Sequence, residues 1–277
     1  TEAMKAGEVE LLLVLDGNPV YDAPADLGFA EAYRDAVPVR VHASTYYDET
    51  ARLSQWHLPL SHYLETWSDH RAHDGALSIV QPLIAPIYDS RSSHEIVAIF
   101  AGILDKNNAD LVKGYYESQW GDAFEAKWRR ALHDGVVEGT AFEPLSLEVG
   151  PEAARADVPA PKEGIEVVLR PCPSVWDGRY ANNAWLQETP RPISRVVWGN
   201  AMYMAPETAD ELGLSKDEII RVTAEGRTIE GPAWILPGAA PGSITVHLGY
   251  GRTAGGNVAE GVGFDGYPLV GASRVVT

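Results

Sequence analysis

Between residues 10 and 58, short apolar runs alternate with helix-patterned segments, and the connections between them are only a few residues long. Glu10 to Leu15 reads as a buried strand, followed by the turn cluster Asp16-Gly17-Asn18-Pro19. Pro24 to Ala36 predicts a helix, with Pro and Asp near its start and Leu27, Ala30 and Tyr33 as its apolar positions. Val37 to Ala43 is a second strand, Asp48 to Ser54 a short helix, and Gln55 to Leu58 a third strand stopped by Pro59. Strands joined this way pair in parallel, because a helix must carry the chain back across the sheet before the next strand starts. Such sheets take ligands at the carboxyl ends of their strands, which sets Gly17-Asn18-Pro19 and Ser44 to Tyr47 at the edge of an expected site.

Further along, His94 to Leu104 predicts a helix with Ile96, Ile99, Phe100 and Ile103 as its apolar positions, and Asp110 to Trp128 predicts another. Glu148 to Gly164 is rich in Pro, Glu and Ala, a linker composition, and marks an expected domain boundary. Beyond it the pattern changes to short β segments: Ile165 to Leu169, Arg195 to Trp198, Ile219 to Thr223, Arg227 to Trp234 and Ser243 to His247. One helix interrupts them, Pro206 to Leu212, closed by Gly213. Many short strands in so short a stretch predict a closed barrel.

Composition narrows the function classes. The formal net charge is -17, the opposite of the basic footprint that nucleic acid demands. The acidity is uneven: residues 1–160 hold 26 Asp/Glu against 12 Lys/Arg, whereas residues 161–277 hold 13 against 10. That is either a solvated acidic surface or a sign of two different domains. Cys172 is the single cysteine, so this chain alone builds no disulfide framework, iron–sulfur cluster or cysteine-rich zinc site. No apolar run approaches the roughly 18 residues of a membrane span, and no basic-then-apolar leader opens the chain. Thr1 to Gly7 is a helix-like segment running straight into a strand, so a fragment of a longer polypeptide is expected.

Few residues point to chemistry on their own. His57, His62, His70 and His73 fall close together, but their spacing matches no paired zinc ligands, and surface or hydrogen-bonding roles are expected. Gly249 to Gly266 holds seven glycines without the lysine of a phosphate-cradling loop and without a following helix. The stretch is either a loop whose backbone approaches something closely or a glycine-rich surface loop. Asn182-Asn183 offers amide donors and acceptors suited to a heterocycle edge, with Trp176 or Trp185 to stack on such a ring; a purely structural loop is the alternative. Cys172 reads as a buried inert thiol.

Taken together, two sets of segments resemble the molybdopterin oxidoreductases. The first runs Leu13 to Pro19, Ala23-Pro24, Tyr46 to Ala51, His57-Leu58-Pro59 and Tyr63-Leu64-Glu65, in the order of that family's strand–GxNP loop, (T/D)ETA helix start and VLP…LE segment. The second runs Thr208 to Leu214, Asp217 to Val222 and Pro237-Gly238, and is similar to the family's dinucleotide-binding barrel. Within the family the likeness is to the molybdopterin-like, iron–sulfur subunit type of alternative complex III. It rests on Gly17 to Leu27, Trp56 to Pro59, Tyr63 to Asp69, Gln81 to Pro86 and His247 to Thr253.

The resemblance implies a Rossmann-like α/β domain with a partial parallel sheet over residues 1–105, a helical segment and Pro-rich linker over 106–164, and a double-psi β-barrel over 165–277. It implies molybdopterin guanine dinucleotide as the cofactor, with Gly17, Asn18, Pro19 and Thr50 at one guanine nucleotide and Asn182, Asn183, Trp185, His247 and Asn257 along the pterin side. Implied partners are the rest of the same polypeptide, with its iron–sulfur domains, and other subunits of a membrane-bound respiratory complex at the periplasmic face. Two departures count against a loaded cofactor. Ser44 stands where the family usually carries a guanine-holding Asp, and Asp177 to Asn183 replaces a loop usually rich in His, Thr and Arg. A non-catalytic scaffold with an empty cleft is therefore the first expectation. The dinucleotide-binding part of a working molybdenum oxidoreductase is the second, and a stand-alone barrel without a redox role the third.

Overall fold

The computed structural model describes residues 1–148, 150 and 164–272. The chain opens with α1 (Glu2–Lys5) and β1 (Leu11–Leu15), turns through Asp16 and Gly17, and enters α2 (Pro19–Asp22) with Pro19 at its first position. Next come α3 (Phe29–Ala36), β2 (Val39–Ser44), α4 (Glu49–Arg52) and β3 (Trp56–Pro59). β1 and β2 pair in parallel from Leu11↔Val39 to Leu15↔Ala43, and β2 lies between β1 and β3. Asp48 caps α4, its carboxylate accepting from the Ala51 N–H at 3.0 Å.

The segment that follows has β4 (Ser68–Arg71), β5 (Leu77–Val80), α5 (Ser93–Phe100), α6 (Asn108–Trp120) and α7 (Phe124–Asp134). β4 and β5 form an antiparallel hairpin, and Leu77, Ile79, Tyr116 and Trp128 close a core with Trp67, Trp120 and Phe124 packed against it. The remaining elements are β6 (Glu166–Pro171), α8 (Ala184–Glu188), β7 (Met202–Met204), α9 (Pro206–Leu212), β8 (Ile219–Ala224), β9 (Arg227–Ile235) and β10 (Ser243–Leu248). Their five strands form one mixed sheet in the order β6-β10-β7-β9-β8, with β10 parallel to β6 and antiparallel to β7. Its core gathers Met202, Met204, Ile220, Val222, Val246, Leu248 and Leu269.

By its contacts the chain forms two compact units, Thr1–His57 with Lys162–Thr277, and Leu58–Pro161. The second division, at Pro161/Lys162, falls within the linker expected up to residue 164, whereas the first falls at His57/Leu58 rather than at residue 105. The reason is that Leu58 onward builds its own aromatic core, whereas Thr1–His57 shares a unit with the C-terminal sheet. The linker expected over Glu148 to Gly164 falls almost wholly outside the described residues.

Several expected elements differ in detail. The helix expected over Pro24 to Ala36 is a 3-10 turn, Ala25–Leu27, and then α3, with Gly28 left-handed between them. Asp110 to Trp128 is likewise two helices, α6 and α7, interrupted at Gly121 (φ 50°). Arg195 to Trp198 is no strand. Arg195 (φ 61°) and Trp198 (φ 49°) both take left-handed backbone, which a strand cannot contain. The strand of that region is β7, fully buried. Around the expected Asn182 loop, Asn183 caps the short helix α8, its Oδ1 accepting from the Leu186 N–H at 3.2 Å.

Candidate functional site

At the carboxyl ends of β1 and β2 the unit formed by Thr1–His57 and the C-terminal segment opens a cleft of about 100 Å³. One side is Asp16, Gly17, Asn18, Tyr21 and Asp22; a second is Ser44, Thr45, Tyr46 and Asp48; the third is Asp177, Gly178, Arg179 and Asn182 with Arg252 and Gly255. Parallel pairing ends both strands on the same edge, so the two following turns meet there.

Asn18 fixes the first turn. Its Oδ1 accepts from the Thr50 N–H at 3.1 Å and the Thr50 hydroxyl at 2.7 Å, and its Nδ2 donates to Glu49 Oε2 at 2.7 Å. Thr50 in turn accepts from the Val20 N–H at 3.1 Å. Asn18→Ala deletes these bonds and strands the buried Thr50 donors, so it should cost about 2 kcal/mol. A urea-denaturation midpoint measures this, and a loss below about 0.5 kcal/mol would contradict the bonding described.

Glu49 is the centre of the site. Its carboxylate accepts from Arg252 Nη2 at 2.8 Å and Nε at 3.1 Å, and from the backbone N–H groups of Thr253 at 2.8 Å and Ala254 at 2.9 Å. Burial alone would raise its pKa. The Arg252 bonds and charge, the Asn18 amide and the Ala254 N–H outweigh that and hold it at about 2. Arg252 also donates to the Gly178 carbonyl at 2.8 Å and lies 4.7 Å from the centre of the Tyr21 ring, tying α2, α4 and two C-terminal loops to one cation. Tyr21 donates to the Tyr250 carbonyl at 2.6 Å.

The remaining lining is acidic. Burial, with Asp177 nearby, pushes Asp22 up to about 6. Asp177 holds Arg179 in a bidentate pair, with Oδ2 at 2.7 Å from Nη2. The Ser44 hydroxyl donates to the Tyr46 carbonyl of its own loop. His42, fully buried, meets the Gly17 carbonyl through Nε2 at 3.0 Å, and its Nδ1 stands 3.4 Å from Asp48.

Of the residues singled out in the sequence, Gly17, Asn18 and Asn182 line the cleft, and Pro19 and Thr50 lie directly behind its first wall. Asn182 accepts from the Val258 N–H at 3.0 Å, which pins the glycine-rich loop rather than leaving its oxygen free. The others are not gathered there. Asn183 is a helix cap, Trp185 is 83% exposed, and Asn257 lies on the surface. His247 is a β10 residue whose ring packs 5.1 Å from that of Tyr203. Glu49, Arg252, Tyr21, Asp22 and Arg179 are the site residues that sequence spacing does not reveal. Among the described residues no group of three or more His, Cys, Asp or Glu side chains is placed to hold a metal. No helix among them is long and apolar enough to cross a membrane.

Comparison with known proteins follows the same lines. Residues 177–268 match the Molydopterin dinucleotide binding domain. Over 94% of its length the chain is 26% identical to the menaquinone reductase molybdopterin-binding-like subunit of Nitratidesulfovibrio vulgaris, and it spans 38% of that relative. A stretch of 68 residues, 24% of the chain and 9% of the relative, is 37% identical to the thiosulfate reductase molybdopterin-containing subunit PhsA of Salmonella typhimurium. In fold, the chain resembles acetylene hydratase from Pelobacter acetylenicus with a TM-score of 0.59 at 15% identity, covering 90% of this chain and 38% of that one. Residues 177–268 are thus a molydopterin dinucleotide binding domain, and over most of its length the chain is similar to a molybdopterin-binding-like reductase subunit.

Proposed function

We propose that the chain is a structural portion of a respiratory electron-transfer reductase, keeping the family's fold around a cleft that takes no cofactor. The observation that carries this is the charge of the cleft. A guanine dinucleotide brings a diphosphate, which calls for cations and N–H donors not otherwise engaged. Here Arg252 is spent on Glu49 and Arg179 on Asp177, while Asp16, Asp22, Asp48 and Asp177 line the same space. Ser44 gives its hydroxyl to its own loop, so no carboxylate stands ready for a guanine edge at that position. The free volume of about 100 Å³ is below the roughly 300 Å³ at which ordinary ligand pockets begin. These residues do not fit the dinucleotide.

In that role the chain's neighbours are the rest of its own polypeptide, with iron–sulfur domains, and other subunits of a membrane-bound complex of the alternative complex III kind, at the periplasmic face. The C-terminal sheet is a double-psi barrel in this reading. Its two edge strands, β6 and β8, line a single groove in which Val167, Leu214, Ile219 and Ile244 stand beside Glu218 and Arg221, as the two sides of a nearly closed barrel do.

A working, cofactor-loaded oxidoreductase is the competing reading, favoured by the dinucleotide-binding match at 177–268 and by the 37% identity to a molybdopterin-containing subunit. In it Gly17, Asn18, Pro19 and Thr50 hold the guanine nucleotide, and Asn182, Asn183, Trp185, His247 and Asn257 face the pterin. Molybdenum analysis, with fluorescence of the oxidised pterin, on the full-length protein purified in its complex separates the two. We expect neither metal nor pterin; stoichiometric molybdenum would overturn the scaffold reading.

A further inference from the structure

Behind the Asp177–Asn182 wall, the fold buries a guanidinium that has no carboxylate beside it among the described residues. Arg191 is 3% exposed. Its Nη2 donates to the Gly199 carbonyl at 2.6 Å and to the Tyr250 hydroxyl, and stands 3.5 Å from Cys172 Sγ. Its Nη1 reaches the Val196 carbonyl at 3.3 Å and the Tyr203 hydroxyl at 3.4 Å, and its Nε has no partner among the described residues. The groups that bear on its charge are Tyr250, Cys172 and Tyr203, all neutral in their ordinary forms at pH 7. A cation taken out of water is costly, and a counter-charge close to it offsets much of that cost.

Tyr203 meets Arg191 only through Nη1 at 3.4 Å, which leaves Cys172 and Tyr250, and the hydrogen bonds choose between them. Cys172 is fully buried, and donors converge on its sulfur: the Ser174 N–H at 3.4 Å, Arg191 Nη2 at 3.5 Å and the Tyr250 hydroxyl at 3.5 Å. Because the Tyr250 oxygen accepts from Arg191, its own proton is free to point at Sγ. A neutral thiol is a weak acceptor and does not call for such a set; a thiolate does. Burial drives the Tyr250 phenol far up, so it stays protonated. Burial also acts against an ionised Cys172, but the Val175 N–H, the Arg191 charge, and the Tyr250 and Ser174 bonds outweigh it and lower the thiol's pKa. His247, beside Tyr203, offers no negative charge; burial, Arg191 and Arg170 hold it neutral, at about 4.

We propose that Cys172 is held as a thiolate, the internal counter-ion of Arg191, and that this pair positions the loop forming one wall of the cleft. Cys172 and Trp176 close that loop through reciprocal backbone bonds of 2.9 Å, immediately before Asp177, Gly178 and Arg179. The ion pair stands whether or not the cleft takes a cofactor. Being fully buried, the thiolate is shielded from reagents despite its charge.

Raman difference spectroscopy between the wild-type protein and Cys172→Ser isolates this one thiol in a chain of any length. At pH 7 the native difference should contain no S–H stretching band, and the band should emerge on unfolding, where the thiol returns to a pKa of about 8.5. An S–H band in the native protein at pH 7 would overturn the proposal. If Cys172→Ser does not fold, Cys172→Ala supplies the subtraction, and Cys172→Asp provides a second arm. An aspartate restores a negative charge to Arg191 and should recover soluble folded protein, whereas failure of Cys172→Asp where Cys172→Ala folds would count against a counter-ion role.

Discussion

Replacing Arg252 with alanine should lower stability by about 3–5 kcal/mol, because it leaves Glu49 as an unpaired buried carboxylate. Both partners are almost sealed from water, at 7% and 8% exposure, so solvent screening does little to soften the loss. For a cooperative unit of 150–250 residues each kcal/mol shifts Tm by about 2–4 °C, so a fall of roughly 10 °C is expected in a thermal melt at pH 7. Acid gives an independent arm. The Glu49 carboxyl sits at about 2 in the folded protein, against about 4.3 for an ordinary glutamate. A depressed folded-state pKa gives stability that is fully present above the unfolded value and is lost as pH falls toward 2. At about 1.4 kcal/mol per pKa unit, this single group contributes about 3 kcal/mol of acid-labile stability. Arg252→Ala should therefore melt far below wild type at pH 7 and converge on it near pH 2–3. A variant within 1 kcal/mol of wild type at pH 7 would mean that the pair does not hold the unit together.

The contrast between this pair and the parallel sheet explains what was legible in the sequence. β1, α3, β2, α4 and β3 each announce themselves locally, by an apolar run, a cap or a Pro, and short loops dictate the parallel pairing that puts Asn18 and Ser44 on one edge. Asp48-Glu49-Thr50 is legible only as a helix start. The Glu49 carboxylate turns instead to an arginine 203 positions away, a contact that no local pattern encodes. One signal did exist: Arg252 is the sole basic residue in Gly249 to Gly266. The β4–β5 hairpin escapes because β4, Ser-Asp-His-Arg, is polar and half exposed, with none of the alternation that marks a strand. Arg195 to Trp198 misleads in the opposite way. Its composition suits a strand, but Arg191 draws the chain into a tight loop through bonds to the Val196 and Gly199 carbonyls. That Trp185 and Asn257 are exposed and His247 packs on Tyr203 could not be read from the sequence, because which way a loop or strand residue faces is set by packing, not spacing.

Gly251→Ala should be the most damaging alanine substitution among the glycines. A Cβ there would stand 2.2 Å from the Asp265 nitrogen and 2.7 Å from the Phe264 carbonyl carbon, so backbone meets backbone and neither can swing away. The residue also has φ +69°, in the left-handed region. That conformation alone costs a non-glycine residue about 1–2 kcal/mol, and overpacking adds about 1–3 kcal/mol or more. A loss above about 4 kcal/mol, or no folded protein at all, is therefore expected by chemical denaturation. Gly261→Ala is the matched comparison. It lies in the same glycine-rich stretch with nearly the same φ, +72°, but has open space around it, and should cost only the conformational part, about 1–2 kcal/mol. The two substitutions separate the two readings that the sequence left open for this loop. If it were merely a surface loop, both alanines would cost alike. If its backbone approaches the Phe264–Asp265 chain closely, Gly251→Ala must be worse by about 1–3 kcal/mol or more. The loss should then extend to the Glu49 site, because Arg252 follows Gly251 directly and cannot hold its place when that backbone is pushed outward.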